Sequence, residues 1–145
     1  MKQKIAVVSL GDCRQSFYDT RKHIAEEETK KLVDSLCGYY DVFAPEVVFT
    51  IDDALKTADE IRRQLIVQVV IHIPIWVTPN LALRIAGSTP YPVVLFGNTR
   101  KDSSSTVALL ATAGMLGQSG KNCKRIIGDI RNPEILQKVR DVLDA

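Results

Sequence analysis

Apolar residues fall along this chain in two alternating patterns. Ile5-Ala6-Val7-Val8-Ser9-Leu10 is a continuous apolar run closed by Gly11, as expected of a parallel strand covered on both faces. After it Phe17, Ile24, Ala25, Leu32, Val33 and Leu36 recur at helical spacing, with Glu26, Glu27, Glu28, Lys30 and Lys31 opposite, which predicts a long helix ending near Gly38. Tyr39 to Phe49 is β-rich but interrupted by Pro45, so a shorter strand near a sheet edge is expected. Ile51, Ala54, Leu55, Ala58 and Ile61 describe a second amphipathic helix, and Leu65 to Ile73 a second buried strand.

The alternation continues to the end. Thr78-Pro79 offers an N-cap and a first-turn proline for a short helix through Ala86, and Pro92 to Phe96 reads as a strand stopped by Gly97. Ser103 to Ser105 supply caps for a helix from Thr106 to about Leu116. Lys124 to Ile127 is a short last strand, and Asn132-Pro133 opens a helix with Ile135, Val139, Val142 and Leu143 on one face. Strict strand–helix alternation with right-handed crossovers predicts an α/β fold: a five-stranded parallel sheet in the flavodoxin-like order 2-1-3-4-5, with helices on both faces.

At 145 residues, 46% of them hydrophobic, residues 1–145 are expected to form one domain. Nineteen basic and seventeen acidic residues leave a formal charge of +2, too small and dispersed to argue for nucleic acid or a membrane surface. No apolar run is long enough for a conventional span, and the opening Met1-Lys2-Gln3-Lys4 has no signal-like character, which favours the cytoplasm. Cys13, Cys37 and Cys123 are too widely spaced for a zinc knuckle or a disulfide framework, and are read as reduced thiols.

Candidate chemistry gathers where the strands end: Gly11-Asp12-Cys13-Arg14, His72-Ile73-Pro74-Ile75-Trp76, and Gly97-Asn98 with Asp102-Ser103-Ser104-Ser105-Thr106. Ligands of open α/β sheets bind at that edge, and in the expected order the loops after the first and third strands are neighbours. Arg14 and Trp76 would then lie close, a guanidinium and an indole suited to a polyhydroxylated ligand. An ordinary surface arginine beside a partly buried tryptophan accounts for them equally well. Asp12 is expected to cap the first helix or to position Arg14, with capping favoured. Cys13 is expected to be structural rather than nucleophilic, and His72 to be a hydrogen-bonded core residue. The serine run suits an anion or sugar hydroxyls at a helix start, although capping alone explains it almost as well. His23 and His72 form no metal set, Gly114, Gly117 and Gly120 do not follow a strand as a dinucleotide loop would, and the third strand ends without a phosphoacceptor carboxylate.

Lys4 to Leu10 with Gly11-Asp12 and Arg14, Glu26-Glu27-Glu28, His72 to Trp76, Asn80-Leu81, Gly97-Asn98 with Asp102 to Thr106, and Arg125 to Asp129 together resemble the amino-terminal domain of the L-fucose isomerase-like proteins, which include L-arabinose isomerases. The resemblance covers nearly the whole chain. It implies the first domain of a larger, cytoplasmic aldose–ketose isomerase whose manganese-dependent centre is built on later domains, so no cofactor is expected in this chain. It also implies a homo-oligomer in which the first domain of one subunit closes the aldose or ketose pocket of its neighbour. On that footing Arg14 and Trp76 match the positions of the sugar-facing wall, and Asn98 and Ser104 are added from their location. Cys13 stands where related sequences often carry proline. The competing expectation is a stand-alone flavodoxin-like module that binds a small ligand or a protein.

Overall fold

The computed structural model describes residues 2–12 and 14–145. Its elements alternate from end to end: β1 Lys4–Ser9, α1 Gln15–Cys37, β2 Asp41–Phe43, α2 Ile51–Arg63, β3 Gln68–Ile73, α3 Asn80–Ala86, β4 Val93–Gly97, α4 Ser105–Gln118, β5 Cys123–Ile127 and α5 Pro133–Leu143. The strands form one parallel sheet in the order β2-β1-β3-β4-β5, as the alternation predicts. Leaving β1, the chain steps outward to β2 and then returns past β1 to β3, so the switch point lies between β1 and β3, whose register pairs Ser9 with His72.

The two faces of the sheet bury separate cores. Ala6, Val8, Leu10, Ile71, Ile73 and Leu95 pack against Ala54 and Ile61 of α2, Leu81 and Ile85 of α3, and Leu109 and Leu116 of α4. Ile5, Val7, Val70, Val94, Phe96 and Ile126 meet Leu32 and Leu36 of α1 and Val139 and Leu143 of α5. Successive residues of β1 and β3 thus serve opposite cores, which is why their sequences read as unbroken apolar runs rather than as an alternation.

The starts of several elements depart from the sequence expectation. Leu65 does not enter the third strand: it is 92% exposed in the turn after α2, and pairing begins at Gln68. β2 shrinks to three residues, and a separate bridge from Leu10 to Val48 covers the rest of its segment. Pro79 rather than Thr78 stands at the N-cap of α3, where its fixed φ of −67° fits the turn, and the Thr78 hydroxyl bonds the Asn80 side chain at 2.6 Å. α4 starts at Ser105, and its N-cap residue Ser104 makes no side-chain cap bond. α2 has a complete capping box, with Thr50 accepting from the Asp53 N–H and Asp53 accepting from the Thr50 N–H.

Candidate functional site

The carboxyl edge of the sheet is built from the loops after β1, β3 and β4. Leu10 N–H donates to His72 O at 3.0 Å and Gly11 N–H to Val48 O at 2.8 Å, so the chain leaves β1 pinned between its neighbours. The pinning leaves no room at Gly11, where a Cβ would stand 2.6 Å from the Phe49 ring.

Next comes the buried carboxylate of Asp12. It accepts from Arg14 N–H at 2.8 Å, from Nε at 3.0 and 3.2 Å and from Nη2 at 2.5 Å. Asp12 therefore positions Arg14; it does not cap the helix, because the N-cap of α1 is Arg14 itself and makes no side-chain cap bond. The Arg14 guanidinium holds the Asp12 carboxyl below its ordinary pKa, outweighing the burial that pushes it up. Clamped in this fork and lying 4.6 Å from the Phe17 ring centroid, the Arg14 side chain remains 59% exposed. Cys13, between the two, lies outside the described residues.

Trp76 is carried on the loop after β3. Ile75 and Val77 on either side of it are buried, so the loop is anchored while the half-buried indole rests on the core edge. The brace behind this loop comes from β4 and α4. Asn98 Nδ2 donates to Pro74 O at 2.9 Å, and the Ser105 hydroxyl donates to Ile73 O while accepting from Asn98 N–H at 2.9 Å. The Asn98 Oδ1 accepts from Arg100 N–H at 3.0 Å and from the Ser103 hydroxyl at 2.8 Å. Asn98 is buried and ties the loop after β4 to the loop after β3. Ser104 is exposed with φ of 56°, a left-handed conformation uncommon for a residue with a side chain.

The structure thus brings Arg14 and Trp76 to one edge, on loops that follow adjacent strands, with Asn98 in the brace behind Trp76 and Ser104 on the outer surface of the same loop system. Reading the sequence did not reveal Ser105 as the residue that holds the Trp76 loop, nor the ionic cluster on the other side of β4. There Arg100 Nη1 lies 2.8 Å from Glu27 and 3.4 Å from the buried Glu28, which Lys31 also reaches at 3.3 Å. These residues line a cavity of about 390 Å³ with Thr99, Gly128 and Asp129. A second cavity, of about 250 Å³, lies beside Gly11 and Asp12 with Thr50, Thr78 and Asn80 on its wall. Arg14 and Trp76 line neither cavity; they stand on the open edge.

His72 occupies the end of β3 and is fully buried. Its Nδ1 lies 2.9 Å from the Ser9 hydroxyl and 3.3 Å from that of Thr29, Nε2 has no partner, and burial drives its pKa down to about 3. A neutral, sealed imidazole has no route to a ligand. Among the described residues no group of three or more His, Cys, Asp or Glu is placed to hold a metal ion. The carboxylates of Asp12, Glu27 and Glu28 are each held by arginine or lysine instead, so the described residues do not fit manganese. No helix among the described residues is long and apolar enough to cross a membrane.

These features define a flavodoxin-like α/β domain with a polar, aromatic edge at its switch point and no metal cluster of its own among the described residues. Residues 2–144 match the family described as L-fucose isomerase, first N-terminal domain, and the chain belongs to that family. No curated protein matches it.

Proposed function

We propose that this domain forms the sugar-facing wall, and part of the subunit contact, of a cytoplasmic aldose–ketose isomerase of the L-fucose/L-arabinose type. The observation that carries the reading is the pair of edge side chains: Arg14 fixed by the buried Asp12, and Trp76 carried on a loop whose Ile73 and Pro74 carbonyls are held by Ser105 and Asn98. Arg14 is clamped by Asp12 and the indole of Trp76 packs on the core edge, while both remain partly accessible, as a surface that meets a hydroxylated ligand requires.

On this reading the Arg14 N–H groups hold the distal hydroxyls of an open-chain sugar, and the indole of Trp76 covers its C–H edge and excludes water. Asn98 and Ser104 shape the loop next to them. The transfer of hydrogen between C1 and C2, and the manganese that assists it, are assigned on this reading to further domains of the isomerase. An exposed edge rather than an enclosed pocket agrees with a wall completed by a neighbouring subunit.

The test is Trp76→Ala in the isomerase assembly that contains the catalytic domains. Loss of kcat/KM for the sugar by about tenfold or more, with manganese affinity unchanged, supports the wall. Unchanged kinetics overturns it.

A further inference from the structure

By its spacing Phe17 belongs to the apolar face of α1 with Ile24, Leu32 and Leu36, but the fold does not use it that way. Those three are sealed in the cores, whereas Phe17 is half-buried and, among the described residues, joins neither core. Two guanidiniums lie over its ring instead. That of Arg14, three residues earlier, stands 4.6 Å from the centroid, and that of Arg21, four residues later, 4.1 Å. Arg21 is committed to this ring: its Nη1 donates to the Thr20 hydroxyl at 2.8 Å, that hydroxyl donates to Phe17 O at 2.8 Å, and among the described residues its buried Nε has no hydrogen-bond partner. An unsatisfied buried donor is costly, and the ring face is the contact that offsets it.

The Asp12 carboxylate meets Arg14 edge-on, at Nε and Nη2. Such a fork fixes a guanidinium within its own plane but does not fix its tilt about the line that joins the two groups. A ring laid over the guanidinium restrains that tilt, because the attraction is to the face of the ring. Asp12 and Phe17 thus hold the 59%-exposed Arg14 side chain by two different coordinates.

We infer that Phe17 is a positioning residue for Arg14: its ring sets the plane in which the guanidinium meets a ligand, so that less rotamer freedom is lost when hydroxyls bind. The inference rests on the reading of Arg14 as a sugar-facing group. A ring–cation contact at an exposed site is worth about two- to fivefold in an equilibrium, which bounds what holding Arg14 can add to sugar affinity. Its loss should therefore appear in KM and leave kcat unchanged.

The test compares Phe17→Leu, which keeps apolar bulk without an aromatic face, with Phe17→Tyr, which keeps the face. In the 145-residue chain, the Arg14 Nε–H, followed by NMR, should exchange with water about two- to fivefold faster in Phe17→Leu and at the native rate in Phe17→Tyr. Equal rates in the native chain and Phe17→Leu overturn the inference. In the complete isomerase, Phe17→Leu should raise the sugar KM about two- to fivefold with kcat unchanged, Phe17→Tyr should restore it, and Phe17→Leu should add nothing in an Arg14→Ala background. A full additional loss in that background also overturns the inference. Kinetics indifferent to Arg14→Ala would instead refute the sugar-wall reading, and the exchange rates would still decide whether Phe17 holds Arg14.

Discussion

Protonating His72 should undermine the fold in a pH range where few other groups act. The imidazole is sealed between Ser9, Thr29 and the Phe96 ring, with its pKa lowered to about 3 by burial alone. An unfolded histidine titrates near 6.5. Between these values the unfolded chain binds a proton that the folded chain refuses, so stability is complete above about pH 6.5 and falls as the pH drops toward 3. The slope approaches 1.4 kcal/mol per pH unit, and the loss between pH 7 and pH 5 comes to about 2 kcal/mol. Urea unfolding at constant ionic strength measures it, with His72→Gln as the reference in which carboxylate contributions remain and the imidazole does not. The native chain should lose about 2 kcal/mol more than the variant over that interval, although the variant starts lower because the site is repacked. Equal losses in the two proteins, or a His72 resonance that titrates near pH 6, would refute the account of a sealed neutral imidazole.

Two further perturbations follow from the packing. Gly97→Ala places a Cβ 2.6 Å from the Ser105 hydroxyl and 3.0 Å from Leu109, so the hydroxyl must give up its bonds to Ile73 and Asn98, at a cost of about 1–3 kcal/mol in urea unfolding; an unchanged midpoint would mean that the brace is dispensable. The Tyr40 hydroxyl donates to Asp144 at 2.6 Å, and burial followed by that carboxylate pushes its pKa up to about 12. Tyr40→Phe should remove about 1 kcal/mol and speed amide exchange in the last turn of α5, whereas unchanged exchange there would show that the bond does not secure that turn.

The sheet order was legible in the sequence because the strands covered on both faces spell predominantly apolar runs, and α1, α2 and α5 between and after them carry apolar stripes. Boundaries were less so: Leu65 has the composition of a strand, but the turn after α2 leaves it outside the ladder. Arg14 and Trp76 could be singled out because topology alone sends the loops after β1 and β3 to one edge. The brace behind Trp76 could not, since the Ser105–Ile73 and Asn98–Pro74 bonds join loops distant in sequence and leave no periodic trace. The Arg100–Glu27 pair, which ties the loop after β4 to α1, was hidden for the same reason. The sequence of α4 carries no charged residue to mark an outer face, yet Val107, Leu110 and Met115 stand exposed.

The central claim is tested most directly by assaying manganese-dependent isomerisation of L-fucose and L-arabinose by this chain and by the complete product of its gene, each also carrying Arg14→Ala. Turnover in the complete product, sharply reduced by the substitution and absent from the isolated domain, is the predicted result. No turnover in either protein, or turnover indifferent to Arg14, would contradict the assignment of this edge to a sugar pocket.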